Sequence, residues 1–460
     1  MKVLIIGAGE VGHHLAGHLA GEGLDVVVLD RQARALQRVA ATHDVQTLEG
    51  SGSSPQALQE AGVADCDLVI AVTDTDEVNL VACTLATRLG KPDAVRIARI
   101  RDDGLAREAE RPGPSTLGIA RAINPEQLAA ERIVHLLRVP AICELIEFEA
   151  GRVQVVGLKI PGGSSLIGCT ISDLASASPT GSRRVLYGAL QRQGRTIIPR
   201  GDTEIREGDV LHAVTRPTFL ERVVAATDLP TRPTRHVVVS GVTPVARQVA
   251  ARLSAAGIAA RLIVPDEERG RQAALALAGV LVLQGEPTDR GLLEQEEVGR
   301  ADAFVAAGPD DEENVLAALL ARQLGVPRTV IVVNRATYLP LLSLSGIDAV
   351  ISPRQVAVSS ILTHIRRGHV LQVASLGEVA EALEFEVPPW APLTAAPLGL
   401  VGFPRNALVV AALRDGEVRI PGGADQIAAG DRVIVFALRS AVPAVEKACS
   451  SRRRFARLDG

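Results

Sequence analysis

The chain is predicted to be an α/β protein with two Rossmann-like, doubly wound parallel sheets, each followed by a small α+β C-terminal lobe. Three observations predict this. Residues 2–30 read KVLIIGAGEVGHHLAGHLAGEGLDVVVLD: an apolar run, a glycine-rich bend, a helical stretch, and a second apolar run ending on an acid. That pattern, together with the segments C-terminal to it, recurs about halfway along the chain. Each copy then gives way to short strand-like runs joined by Gly/Asp turns, as in small β-rich lobes.

Val3 to Ile6 are apolar β-formers, as a strand covered on both faces requires. Gly7, Gly9 and Gly12 then spell G-x-G-x-x-G. In a strand–turn–helix, the first glycine permits the tight turn, the second lets a pyrophosphate approach the backbone, and the third lets the helix pack on the strand. Val11, Leu15 and Leu19 have helical spacing, Gly21 and Gly23 end that helix, and DVVVLD is the second strand. Asp30 closes it, 18 residues after Gly12. An acid there can accept both ribose hydroxyls and disfavours a 2′-phosphate, which points to NAD(H) or an adenine nucleotide rather than NADP(H). His13, His14 and His18 share the first helix, and His14 and His18 have the spacing of a zinc pair. With no Glu base or third ligand beside them, they read as solvated or half-buried helix histidines.

The remainder is organised by duplication. Leu48 to Pro92 aligns with Leu283 to Pro327 without a gap at an offset of 235, pairing Gly50 with Gly285, Asp76 with Asp311, Glu77 with Glu312, Asn79 with Asn314 and Gly90 with Gly325. A smaller unit, Gln193 to Val214, aligns with Asp415 to Phe436 at an offset of 222. The order is therefore A–B–A′–B′, with predicted bounds 1–123, 140–225, 234–352 and 371–455. INPEQLAAERIVHLL and ISPRQVAVSSILTHI are matching helices leading out of A and A′, with Pro125 and Pro353 suited to a first turn. Each has an apolar stripe that can serve as a packing arm against a neighbouring domain.

The second half departs from the fingerprint. Gly241 is kept, but Thr243 stands in place of the second glycine and Ala246 in place of the third. Val264 replaces Asp30, Glu286 and Pro287 replace Ser51 and Gly52, Gly308 replaces Thr73, and Asn334 is aligned with Arg99. A β-branched residue followed by Pro244, a new carboxylate and a lost arginine all oppose a polyphosphate, so A′ is expected to bind nucleotide weakly or not at all.

Composition narrows the class. Of 460 residues, 47% are hydrophobic and 22% charged, which is ordinary globular material, and length alone suggests about three domains. A net charge of -4 offers no basic excess for nucleic acid. Cys66, Cys83, Cys143, Cys169 and Cys449 form no C-x-x-C pair and read as reduced, packed thiols. The longest uncharged run, Val387 to Pro404, contains five prolines and is no transmembrane helix. With no export leader either, the protein is expected to be soluble and intracellular. Arg452, Arg453, Arg454 and Arg457 near the C-terminus read as a solvated tail. Asp102–Asp103 and Asp310–Asp311 read as turn carboxylates.

A glycine-rich Rossmann half, AVTDTDEVNL, ARIRD, INPEQLAA and GCTISDL…GDVLHAV, taken with the duplication, resembles one family across essentially the whole chain. The family is that of the TrkA regulatory subunits of Trk potassium uptake systems, built of tandem RCK domains. The resemblance implies a non-enzymatic regulator that binds NAD(H) or ATP/ADP. It implies assembly into a homo-oligomeric, tetrameric ring on the cytoplasmic face of an integral membrane potassium-translocating subunit of the TrkH/TrkG type. Carried over by position, the phosphate loop is Gly7, Ala8, Gly9, Glu10, Val11 and Gly12, with Asp30 on the ribose. Ser51 and Gly52 approach the adenosine half, Thr73 and Asp74 border the base or ribose, and Arg99 reaches phosphate. Thr73–Asp74 reads alternatively as an N-cap pair, and Arg99 as a surface ion pair. A hydride-transferring enzyme would need a substrate domain and a placed acid or base. The sequence holds no G-x-S-x-G, H-E-x-x-H or G-x-x-x-x-G-K-[ST] motif, and the reading is a sensor. A hydride-transferring dehydrogenase and a ring scaffold with permanently bound nucleotide are the alternatives.

Overall fold

The computed structural model describes residues 1–21, 23–110, 117–138, 142–176, 185–193, 195–225, 234–335, 346–365, 370–376 and 379–450. The arginine-rich tail and His369 lie outside the described residues.

The first parallel sheet comprises β1 (Lys2–Ile6), β2 (Asp25–Asp30), β3 (Gln46–Glu49), β4 (Leu68–Ala71), β5 (Val95–Arg99) and β6 (Arg121–Ile123). Its spatial order is β3-β2-β1-β4-β5-β6. The order reverses between β1 and β4, so a crevice opens outside their carboxyl ends. Helices α1 (Glu10–Gly21), α2 (Ala33–Thr42), α3 (Pro55–Glu60), α4 (Asp76–Leu89) and α5 (Asp103–Ala109) cover the two faces. Local chemistry fixes their starts: the Ser54 hydroxyl accepts from the Ala57 amide and Pro55 fills the first turn of α3, while Asp102 accepts from the Leu105 amide at α5. Asp102 is thus a helix cap.

A long helix, α6 (Pro125–Arg138), leaves this lobe for a five-stranded antiparallel sheet. That C-lobe contains β7 (Ile142–Phe148), β8 (Val153–Lys159), α7 (Ile171–Ser176), β9 (Val185–Arg192), β10 (Arg195–Ile197), β11 (Val210–Thr215) and α8 (Leu220–Ala225), with strand order β10-β9-β11-β8-β7.

The plan then repeats. The second N-lobe holds β12 (His236–Ser240), α9 (Pro244–Ala255), β13 (Ala259–Val264), α10 (Glu267–Ala276), β14 (Val280–Gln284), α11 (Arg290–Gln295), β15 (Ala303–Ala306), α12 (Asp311–Gln323), β16 (Thr329–Val332) and β17 (Ala349–Ile351). Helix α13 (Pro353–Ile365) leads to the second C-lobe, made of β18 (Val370–Leu376), β19 (Ala380–Glu386), β20 (Ala407–Arg414), β21 (Glu417–Arg419), β22 (Arg432–Leu438) and α14 (Val442–Cys449). Both sheets repeat the strand order of the first half. Asp415 and Gly416 both have positive φ, the primed turn that a two-residue hairpin between twisted strands demands. Each C-lobe is pinned at one place: Arg192 forks onto buried Asp209 at 2.8 and 2.7 Å, and Arg414 onto buried Asp431 at 2.7 Å twice. The uncharged run 387–404 forms turns and a short 3-10 segment, and no helix among the described residues is long and apolar enough to cross a membrane.

The two halves interlock. Ala129, Ala130, Ile133, Val134 and Leu137 on α6 pack against Val245, Val249, Ala250 and Leu253 on α9 of the second N-lobe, and Arg252 meets Glu131 at 2.8 Å. Reciprocally, Ala357, Val358, Ile361 and Leu362 on α13 pack against Val11, Leu15, Ala16 and Leu19 on α1 of the first N-lobe. The apolar stripes of both connecting helices are therefore buried against the opposite half, each large side chain contributing about 1.5–3 kcal/mol. The two C-lobes pair through Ile146, Phe148, Val155 and Val214 against Ala382, Val410, Ile434 and Phe436. Gly188 on β9 permits that approach, because a Cβ there would lie 2.8 Å from Phe436 and Val410.

Candidate nucleotide-binding site

Three glycines of the first bend do different work. Gly7 has φ 110°, and a Cβ on it would lie 2.9 Å from the Thr73 amide nitrogen. At Gly12 a Cβ would come within 1.8 Å of the Gly7 carbonyl oxygen, so α1 can sit on the bend only without a side chain there. At Gly9 nothing lies within 4 Å of the same atom. Gly9 is therefore not demanded by the protein's own packing; it leaves space open beside the start of α1. The first-turn amides of a helix have no intrahelical partner and attract negative charge. Among the described residues this is the feature that fits a bound pyrophosphate.

Asp30, half-buried at the end of β2, faces the same bend. Its Oδ2 accepts from the Ala8 amide at 2.6 Å and its Oδ1 from the Gln32 amide at 2.8 Å. It thus shapes the loop, and each of its oxygens keeps acceptor capacity for a further donor. Ala8 and Val11 are buried, so only their backbones can face a ligand, and Glu10 pairs with Arg38 on α2 at 3.7 Å. Ser51 is exposed and bonded to Ser53 at 2.9 Å. Gly52 is buried, and a Cβ would strike Ile6 at 2.4 Å, so this glycine is required by the sheet beneath it.

Thr73 and Asp74 follow β4. They do not cap α4, whose N-cap is Thr75 without a side-chain bond. Instead Asn79, fully buried on α4, gathers the loops: its Oδ1 accepts from the Thr73 amide at 2.9 Å and hydroxyl at 2.7 Å, and its Nδ2 donates to the carbonyls of Thr73 and Arg99 at 3.1 and 2.9 Å. Asp76 accepts from the amides of Arg101 and Asp102 at 2.7 and 3.0 Å. Arg99 at the end of β5 is held in an ion pair: Nη1 meets Asp74 at 3.1 Å and Nη2 meets Glu126, at the start of α6, at 3.2 Å. Arg99 Nε and Glu126 Oε2 are buried without partners, so this pair is incompletely satisfied. Sequence reasoning did not place Asn79, Asp76 and Glu126 at the site. The recurrence of Asn79 and Asp76 as Asn314 and Asp311 was the available signal.

In the second half the same ground is filled. Gly241 keeps φ 105°, but Thr243 caps α9, accepting from the Ala246 amide at 3.2 Å and donating to the Ala307 carbonyl at 2.6 Å. Val264, at the place of Asp30, is buried, and Asp266 is spent capping α10. Burial and the carboxylates of Glu286 and Asp310 push Glu313 above the usual range, which marks this crevice as negative. Asn314 and Asp311 repeat the loop-pinning bonds, Asp310 caps α12, and Asp311 is buried rather than a free turn carboxylate.

Those bonds correct one alignment. Asn79 reaches the carbonyl of Arg99, whereas Asn314 reaches that of Val332. Strand pairing agrees, setting Arg96 beside Val69 and Thr329 beside Phe304. The turn before β16 is two residues shorter than the turn before β5, so Arg99 corresponds to Val332, not to Asn334. The arginine is lost either way.

Among the described residues there is no group of three or more His, Cys, Asp or Glu that could hold a metal ion. His13 instead packs on His43 with centroids 4.7 Å apart, and burial together with His43 lowers its pKa. The five cysteines are free, and burial pushes Cys66 up to about 11 and Cys83 to about 12.

Two nucleotide-type N-lobes with exchanged connecting helices and paired antiparallel C-lobes define the class: a tandem RCK-type protein. The GsuK RCK domain crystal structure superposes with a TM-score of 0.63 at 18% identity, covering 97% of this chain and 94% of that one. The NAD-bound GsuK channel gives 0.61 at 17%, covering 97% and 78%. The TrkA-N domain family matches residues 3–125 and 237–353, and the TrkA-C domain family residues 155–226 and 382–450. The Trk system potassium uptake protein TrkA of Haemophilus influenzae is 32% identical over 97% of this chain and 98% of its own. That of Halomonas elongata is 33% identical over 95% and 96%. The chain belongs to the TrkA family.

Proposed function

We propose that this chain is the nucleotide-sensing regulatory subunit of a potassium uptake system and is not an enzyme. The observation that carries the reading is the asymmetry of the two bends: open at Gly9, closed by the Thr243 hydroxyl. One half keeps a ligand site and the other keeps only the fold. Relatives named as potassium uptake proteins and a similar channel solved with NAD support it.

NAD(H) or ATP/ADP would lie across the carboxyl ends of β1 and β4. The first-turn amides after Gly9 would hold its phosphates and Asp30 its ribose hydroxyls. Ser51, Gly52, Thr73 and Asp74 would border the adenosine, and Arg99 would reach phosphate by leaving Asp74. A ligand can shift a conformational equilibrium only by its differential affinity, typically about 1–3 kcal/mol per site. The route outward is continuous: α1 begins at the bend, α13 rests on α1, and α13 leads into β18 of the second C-lobe. In a homo-oligomeric, tetrameric ring these increments add, and the ring would act on a separate membrane subunit of the TrkH/TrkG type from the cytoplasmic face.

Differential scanning fluorimetry with NADH, NAD, ATP and ADP tests the site. A selective binder raises the melting temperature by mass action, and Asp30→Ala abolishes the rise. A wild-type chain indifferent to all four would refute the reading.

A further inference from the structure

Among the described residues the seam between the C-lobes is largely apolar; Gln372 Nε2 donates across it to the Glu147 carbonyl at 2.7 Å, and near that bond sits a cluster of charged groups. Glu149, in the 3-10 turn after β7 of the first C-lobe, meets Glu384 on β19 and Arg432 on β22 of the second. Glu384 is 3% exposed, and its Oε1 is buried without a partner. Glu149 has φ 51°, a left-handed backbone that is uncommon for a non-glycine residue. The feature is not duplicated: in strand register Gly157 stands where Glu384 would recur, and Val210 where Arg432 would.

Two carboxyl groups in hydrogen-bond contact need one proton between them. We propose that Glu149 and Glu384 form a proton-dependent clasp between the two C-lobes, closed by one shared proton and opened when that proton is lost to solvent. Protonated Glu384 donates to the Glu149 carboxylate, whose charge Arg432 balances. Burial, then the bond to Glu149, push Glu384 up to about 8, while the bond from Glu384 and the Arg432 guanidinium hold Glu149 low. The other charged groups nearby are Arg152, next after the turn, which acts on Glu149, and Glu386 at the end of β19, which acts on Arg432. They are of mixed sign and do not replace the proton.

The sign comes from linkage. Between the ordinary glutamate value of 4.5 and about 8, the folded pair holds a proton that the separated groups release. Closure therefore weakens as pH rises through that window, by up to roughly tenfold per pH unit. The test is the thermal midpoint of the full chain without nucleotide from pH 5.5 to 9, with hydrogen–deuterium exchange along β19, so its outcome is independent of the ligand reading. Glu384→Gln, a permanently neutral partner, should flatten the decline seen in the wild type and keep β19 protected at pH 8.5. Glu149→Gln should move the step to lower pH. Identical pH profiles for wild type and Glu384→Gln would overturn the clasp. If that variant does not fold, absence of a protonated-carboxyl infrared band from the wild type at pH 7 would overturn it equally.

Discussion

Gly9 and Gly12 lie three residues apart in one bend, yet substituting alanine at each should have opposite consequences. A Cβ at Gly9 meets nothing within 4 Å, so Gly9→Ala should change the stability of the free protein by less than about 1 kcal/mol. The same atom would stand where a pyrophosphate must approach the backbone. A nucleotide at a hundred times its Kd contributes about 2.7 kcal/mol, or roughly 5–10 °C for a lobe of this size, and Gly9→Ala should forfeit that rise. At Gly12 the added carbon would sit 1.8 Å from the Gly7 carbonyl oxygen, so α1 would have to lift from the sheet. Overpacking of that kind costs about 1–3 kcal/mol or more, so Gly12→Ala should melt early even without ligand. Fluorimetry of both variants with and without nucleotide reads the contrast. A Gly9→Ala protein that melts like wild type and still shows the full rise would refute the assignment of that space to a ligand.

Two further substitutions probe the scaffold. Asn79→Ala removes four hydrogen bonds from a fully buried residue and should cost about 2–4 kcal/mol in urea unfolding; a loss under 1 kcal/mol would mean that Asn79 does not pin the loops after β4 and β5. Gly188→Val would drive a side chain into Phe436 and Val410 and should raise hydrogen exchange in β9 and β20, whereas unchanged protection would contradict the packed seam between C-lobes.

Much of this was legible in advance because the signals were local. The turn at Gly7, the close packing at Gly12 and the acid at Asp30 each follow from short-range backbone geometry, and the repeat announced both sheets. Side-chain partners were less accessible. The expectation that Gly52 approaches a ligand did not reveal that a Cβ there would also strike Ile6, a residue from a different strand. Arg99 is expected to reach phosphate, with a surface ion pair as the alternative, and its neighbour Glu126 on α6 could not be foreseen from the sequence. A two-residue shortening of one turn misdirected its alignment with Asn334, because an ungapped match carries no information about where strands pair. The Glu149–Glu384 contact joins residues 235 positions apart, and nothing periodic marks it.

The exchanged helices carry a consequence for how such a chain diversifies. Severed between its halves, it would yield two pieces, each with a bare oily groove and a loose amphipathic arm that fits the other piece. Each fragment alone would scavenge a twin. Tethering makes the fit intramolecular, at an effective concentration no free subunit attains. Once the match is guaranteed, one twin is released from carrying a pocket of its own. On the proposed reading, Thr243 and Val264 are what that freedom leaves behind: a partner retained for its shape.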